Sequence, residues 1–253
     1  MKITGRSGEP LTERDVLPSL MREGIVFLSE TDCDEVTERF RRMLSVCRHP
    51  HSADAPWTMI QPDPETQKTP GSGGFTRAAL LPHTDRSMVD FPPAVLCFLV
   101  VDEAAMGGQS LLVDTRPLLS QYSPDSLRYI ENDLWLSSRF DGQRRKVVES
   151  SENGYTIIRY RDDQVARPEG RSRLSESLLS SLRDMGRSAV GIRLRAGQGY
   201  MIHNHRILHG RTRFDGPRKG VRILFRVRRE SSYGILNSGF ALHRNDSFRK
   251  AGV

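Results

Sequence analysis

Two stretches far apart in the chain constrain its folding more than any others. They are Leu81-Pro82-His83-Thr84-Asp85-Arg86 and Asn204-His205-Arg206-Ile207-Leu208-His209-Gly210-Arg211. In the first, a histidine and a carboxylate stand two apart, so at the end of an extended strand both point the same way and can grip one ion. The second supplies a third donor, His209, from the opposite half of the polypeptide. Two imidazoles and one carboxylate on one face of a metal leave the opposite positions open, as in the facial triad of non-haem Fe(II) sites. A chain that uses these residues together must bring the two stretches side by side.

The residues after His209 sharpen this expectation. Arg222 and Arg226 lie four apart in Val221-Arg222-Ile223-Leu224-Phe225-Arg226, so both guanidinium groups fall on one side of a strand. Arg222 follows His209 by 13 residues, enough for that strand to run back alongside the metal and offer cations to an acidic co-substrate. Arginine suits the task because its planar fork takes a carboxylate with two hydrogen bonds and keeps its charge.

Many short strands with Gly and Pro turns predict a mainly β fold with flanking helices, a jelly roll or barrel rather than a βαβ repeat. Phe91 to Val101, broken at its start by Pro92-Pro93, is a fully apolar run suited to a buried strand. Further strands are expected at Ile25–Leu28, Ser110–Val113, Trp135–Val148, Tyr155–Tyr160, Val190–Leu194 and Tyr200–Ile202. Helices are expected from Thr12 to Arg22 with Gly24 as the stop, from Thr31 to about Cys47, from Asp114 to Ser120, from Ser123 to Asn132 and from Leu174 to Met185. Residues 1–48 then form a helix-strand-helix unit on the outside of the barrel, and residues 49–74, rich in Pro, Gly, Asp, Ser and Thr, a long loop suited to a lid over the site. The histidines of that loop, His49 and His51, are expected to be exposed, while the tail from Ser231 to Val253 has too little periodicity to assign.

At 253 residues with 37% hydrophobic content, the chain has the length that β-barrels commonly spend on one domain. The longest apolar runs fall short of the roughly 18 residues a membrane span needs, and Met1–Arg6 lacks the apolar core of a secretory signal. Three cysteines without C-x-x-C spacing suggest neither disulfides nor a zinc knuckle, so a reducing, cytoplasmic setting is expected. The net charge of +7 raises nucleic-acid binding as a possibility, but the arginines are scattered and the aromatic residues do not interleave with them. The charge is instead read as a solvated surface plus an anion-receiving pocket.

Taken together, these motifs resemble the taurine dioxygenase and clavaminate synthase-like branch of the Fe(II)- and 2-oxoglutarate-dependent oxygenases, from about Leu81 to Arg226. Leu81-Pro82-His83-Thr84-Asp85 is similar to that family's first metal motif and Asn204-x-Arg206-x-x-His209-Gly210-Arg211 to its second. Gly107-Gly108-Gln109-Ser110 with Val113-Asp114 resembles its glycine pair and following hydroxyl residue, although the family more often has Thr at the position of Ser110. The resemblance implies a double-stranded β-helix (jelly-roll) core that binds Fe(II) through His83, Asp85 and His209, with 2-oxoglutarate and O2 as co-substrates. It implies that Ser110 and Arg222 hold 2-oxoglutarate and that Arg226 faces an acidic group of the substrate. Asp85 argues for hydroxylation, desaturation or ring closure, since related halogenases lack this carboxylate.

For Arg226 the other assignment is a surface salt bridge, and Arg77 either reaches a substrate carboxylate or faces solvent. Arg86 is read as a surface residue, His203 and His205 as structural, and Asn204 and Arg206 as buried groups that brace the second motif by hydrogen bonds. The substrate class implied is a small acidic or zwitterionic molecule, such as an amino acid or its carrier-bound form. Two other functions share some of these features: a cupin-like isomerase or hydrolase that ignores 2-oxoglutarate, and a non-catalytic basic binding module.

Overall fold

The computed structural model describes residues 1–52, 55–66, 71–151 and 153–242 of the chain. Its organising strand is the apolar run, Val95–Asp102, at the centre of a large antiparallel sheet. Side chains alternate across a strand, and here both faces are covered, which is why the run has no polar alternation. Val95, Cys97 and Leu99 enter one apolar cluster with Leu17, Leu20 and Phe40 of the N-terminal helices. Leu96, Phe98 and Val100 enter another with Tyr200, Ile202, Ile207 and Leu224.

The large sheet runs in the order Pro10–Leu11, Lys2–Thr4, Ile25–Ser29, Gly199–His203, Val95–Asp102, Lys219–Val227 and Leu44–Val46, with Thr58–Ile60 also paired to Lys219–Val227. Facing it is a second sheet in the order Gly191–Ile192, Ser110–Asp114, Ile207–Arg211 and Leu80–His83. These two antiparallel sheets form the expected jelly roll. A third apolar cluster joins Leu208 of the second sheet to Leu127 and Ile130 of helix Pro124–Asp133 and to Leu178 and Leu182 of helix Arg173–Arg187.

Local signals explain several boundaries. Helix Glu13–Glu23 opens where the Asp15 carboxylate accepts hydrogen bonds from the Thr12 backbone N–H and hydroxyl, and closes at Gly24 with φ 79°. Ser123 and Ser172 cap their helices by accepting from the backbone N–H groups of Ser126 and Ser175.

Several expected elements differ. The helix predicted over Thr31 to Cys47 covers only Cys33–Phe40, because the next apolar residues serve a strand, Leu44–Val46, on the edge of the large sheet. Within 49–74 the chain forms strand Thr58–Ile60 and begins a short 3-10 turn, Ser72–Phe75, while residues 53–54 and 67–70 of that loop lie outside the described residues. Trp135 to Val148 is not one strand: Trp135–Ser138, Arg144–Lys146 and Val148–Ser150 are separate. The helix expected over Asp114 to Ser120 shrinks to Arg116–Leu119, and Gly191–Ile192 is all that is strand in Val190–Leu194. Part of the unassigned tail is ordered into the pairing of Phe240–Ala241 with Tyr155–Ile158, and its end, 243–253, lies outside the described residues.

Candidate active site

The two motifs meet because their strands pair. Ile207–Arg211 lies antiparallel to Leu80–His83, with His209 directly across from His83 and an irregularity in register just beyond. The two imidazole rings lie 4.5 Å apart between centroids. Gly210 makes this approach possible, since a Cβ there would stand 2.4 Å from the Leu80 carbonyl oxygen. Asp85 follows at the strand's end, with Oδ2 4.0 Å from His209 Nε2.

Hydrogen bonds fix each donor. His83 Nδ1 is 3.0 Å from the Leu81 carbonyl, so it carries the proton and leaves Nε2 as the free lone pair. Asn204 clamps Asp85 from behind: its Oδ1 accepts from the Asp85 N–H at 3.0 Å, while its Nδ2 donates to the Asp85 and Pro93 carbonyls at 3.1 and 2.9 Å. The Thr84 hydroxyl, between the two candidate ligands, donates to the Ile158 carbonyl and accepts from the Tyr160 N–H. Arg206 forks onto Asp114 at 2.8 and 2.6 Å, tying the start of one paired strand to the end of its neighbour. His203 and His205 are buried away from the cavity, each with Nε2 against a carbonyl, of Leu236 and Pro92.

Burial depresses both candidate imidazoles, His83 to about 4 and His209 to about 3, so each is neutral at pH 7. Burial pushes the Asp85 carboxyl the other way, but the Arg222 guanidinium beside it, with the nearby histidines, holds it well below the usual carboxylate range. Two neutral imidazoles and an ionised carboxylate are the protonation states metal binding requires. Among the described residues no three His, Cys, Asp or Glu side chains are gathered into a metal cage as they stand. Arg222 Nη1 donates to Asp85 Oδ2 at 2.7 Å, so the carboxylate is paired with a cation. The buried His209 Nδ1 and Arg222 Nε have no hydrogen-bond partner among the described residues. The donor set and its protonation fit a hard-to-borderline divalent ion.

The site forms the wall of a cavity of about 360 Å³. Among the described residues Asp85 is the one carboxylate on its lining, against Arg86, Arg161, Arg211, Arg218 and Arg222. Ser110 and Tyr200 also line it, both buried. Arg211 donates to the Ala78 and Gly73 carbonyls at 2.8 and 3.1 Å, and also to that of Thr76, which braces the wall at residues 73–78. Arg161 is forked onto Asp163.

Not every expected residue is here. Arg226 is exposed and donates to the Phe91 carbonyl at 2.6 Å, outside this cavity, and Arg77 is exposed and does not line it. Neither is part of the cavity lining. Conversely, His49 is half-buried and lines the cavity, where burial lowers it to about 3 with Arg222 contributing. Arg86 lines the rim with φ 56°, the left-handed turn that carries the chain away after Asp85. Arg218, Arg161, Tyr200 and His49 are cavity residues that sequence reasoning missed. For Arg218 a signal existed, since it precedes Arg222 by the same four residues that separate Arg222 from Arg226.

The fold and site define a jelly-roll protein with a histidine–carboxylate centre in a cationic cavity. Residues 7–228 match the taurine catabolism dioxygenase TauD, TfdA family, and the chain belongs to that family. No curated protein sequence matches it. Among solved structures it is similar to an asparagine oxygenase in complex with Fe(II), 2S,3S-3-hydroxyasparagine and succinate, at 15% identity and TM-score 0.60 over 86% of this chain and 80% of that one. It is also similar to PvcB, an Fe, alpha-ketoglutarate dependent oxygenase from an isonitrile synthetic pathway, at 18% identity and TM-score 0.61 over 85% and 80%. The non-heme iron oxygenase OrfP, in complex with Fe, succinate and (3S)-hydroxy-L-Arg, matches at 13% identity and TM-score 0.52 over 66% and 57%. No helix among the described residues is long and apolar enough to cross a membrane.

Proposed function

We propose that the chain is an Fe(II)- and 2-oxoglutarate-dependent oxygenase that oxidises an unactivated C–H bond of a small acidic or zwitterionic molecule, an amino acid or an amino-acid derivative, free or carrier-bound, in the cytoplasm. The observation that carries this is the placing of His83 opposite His209, both neutral, with ionised Asp85 beside them on the wall of a cavity otherwise ringed by arginines. Membership of the dioxygenase family supports the reaction class, and solved structures of this fold, an asparagine oxygenase with 3-hydroxyasparagine and an oxygenase with (3S)-hydroxy-L-Arg, support the substrate class.

In this reading His83, Asp85 and His209 hold the iron, which, when bound with 2-oxoglutarate and O2, supplies the oxidising power that no side chain has. The protein's own part is positioning and exclusion. The Leu81 carbonyl fixes the His83 tautomer, and Asn204 fixes the backbone from which Asp85 projects. Ser110 and the cavity arginines receive the carboxylates of co-substrate and substrate. His49, Gly71, Gly73 and Gly74 form part of the cavity wall, where they help to keep water from the reacting carbon.

Anaerobically loaded protein, given O2, 2-oxoglutarate and a panel of L-amino acids, is expected to release succinate faster with the right amino acid than without one. His83→Ala and Asp85→Ala are expected to abolish that release with the fold retained. Succinate release that survives in both variants would overturn the assignment of His83 and Asp85 as ligands, and substrate turnover indifferent to 2-oxoglutarate would instead support a cupin-like enzyme. A salt-sensitive affinity for nucleic acid, untouched by chelator, would support a basic binding module.

A further inference from the structure

A second cavity, of about 270 Å³, adjoins the one that holds the triad. Arg86 and Val89 line both, so the turn that follows Asp85 is a shared wall. Two other segments also straddle it. Arg48 lines the second cavity and its neighbour His49 the first. On strand Lys219–Val227, Arg222 lines the first cavity, and Leu224 and Arg226 line the second. Arg48, Arg226 and Phe91 of the second cavity are exposed, so it forms a vestibule open to solvent.

Three arginines line this vestibule, and none is paired with a carboxylate among the described residues. Arg48 and Arg86 have neither a hydrogen bond nor an ion pair to any described residue. Arg226 donates to the Phe91 carbonyl, lies over the Phe91 ring at 5.9 Å from its centroid and meets the Cys47 thiol, none of them an anion. Among the described residues the one carboxylate of the lining, Asp90, is held by Arg145 at 2.5 Å. Arg86 is set between the two cavities by a backbone at φ 56°, a region unfavourable to a residue with a Cβ and concentrated at functional sites. Like charges gathered without a counter-charge repel, and an anion among them removes that cost. A phosphate monoester carries about −1.5 to −2 charges at pH 7 and three acceptor oxygens, which suits three guanidinium groups better than the single charge of a carboxylate. Four residues of one strand, roughly 13 Å, separate Arg226 from Arg222 beside Asp85.

We propose that the vestibule is a phosphate subsite: the substrate is an amino-acid derivative whose phosphate monoester sits among Arg48, Arg86 and Arg226 while its reacting end lies against His83, Asp85 and His209. This rests on the oxygenase reading above and narrows its substrate class. The substrate then spans both cavities across the turn at Arg86.

The test is calorimetric titration of the full chain, loaded with Fe(II) and 2-oxoglutarate without O2. The probes are L-serine, L-homoserine and L-6-hydroxynorleucine, each beside its phosphate ester, so that each pair differs by the phosphate alone and the series by reach. In the longest pair the ester is expected to bind about tenfold or more tighter than its alcohol. That preference is expected to weaken severalfold as salt rises from about 50 to about 200 mM, since the arginines are open to solvent. Arg48→Gln combined with Arg226→Gln is expected to collapse it towards unity, with 2-oxoglutarate affinity held within about twofold. Arg86→Asn, whose side chain tolerates the left-handed backbone, is expected to reduce it by about threefold to tenfold.

Equal affinity of ester and alcohol in all three pairs would overturn the proposal. So would a preference that survives undiminished in the double variant or in Arg86→Asn, since the phosphate would then sit elsewhere. A chain that binds the esters through these arginines but takes up neither Fe(II) nor 2-oxoglutarate would instead remove the oxygenase reading and leave the phosphate subsite standing.

Discussion

Asn204 spends all of its side-chain hydrogen bonds on backbone: one accepted from Asp85, one donated to Asp85 and one donated to Pro93. Asn204→Ala would leave the buried Asp85 N–H without a partner, and its stability is expected to fall by about 2–4 kcal/mol in urea titration, with about tenfold to 100-fold weaker divalent-metal binding. An unchanged metal affinity would mean that the clamp holds the fold alone. At this scale the sequence was informative where chemistry dictates residue type. His83, Asp85 and His209 converge as their types and spacing suggest, and Asn204 and Arg206 brace the motif as buried polar groups must. Arg218 and His49 escaped notice for a different reason. Which of three evenly spaced arginines faces inward is decided by where the strand begins, and the place of His49 is decided by a loop. Neither is a property of the residue itself.

Between elements, the site depends on one close pairing, that of Ile207–Arg211 with Leu80–His83. Gly210→Ala places a methyl group 2.4 Å from the Leu80 carbonyl oxygen, where backbone and not a flexible side chain must yield. A loss of about 1–3 kcal/mol in urea titration is expected, along with loss of metal binding as the two histidines separate. Retained metal binding would show that the triad tolerates a looser pairing. Long or strongly patterned elements were legible: Val95–Asp102 by its unbroken apolar run, Glu13–Glu23 and Pro124–Asp133 by their caps. Lys2–Thr4, Pro10–Leu11, Leu44–Val46 and Thr58–Ile60 were not. Two or three residues cannot display a period, and these strands exist because a sheet edge offers them hydrogen bonds.

At the scale of the molecule, four histidines among the described residues, His83, His203, His205 and His209, are buried and held neutral, the first and third near 4 and the last near 3. In the unfolded chain each takes a proton at its ordinary value, about 6.5. A histidine depressed by folding costs nothing above that value. Below it the unfolded state binds protons that the folded state refuses, so stability falls with pH. The metal-free chain is therefore expected to lose at least about 2 kcal/mol of unfolding free energy between about pH 7 and pH 5, well above the range where Asp85 and Asp114 titrate. A flat urea midpoint across that interval would mean the imidazoles are accessible to protons in the fold.

The jelly roll was legible from many short strands, but the cavity's cationic lining was not, because it is assembled from strands and loops that are distant in sequence. The most direct measurement of the central claim is anaerobic equilibrium dialysis against Fe(II), with the bound metal counted per chain. One ion per chain is expected for the parent and for His49→Ala, and none for His209→Ala or Asp85→Ala. Full occupancy in folded His209→Ala protein would contradict it.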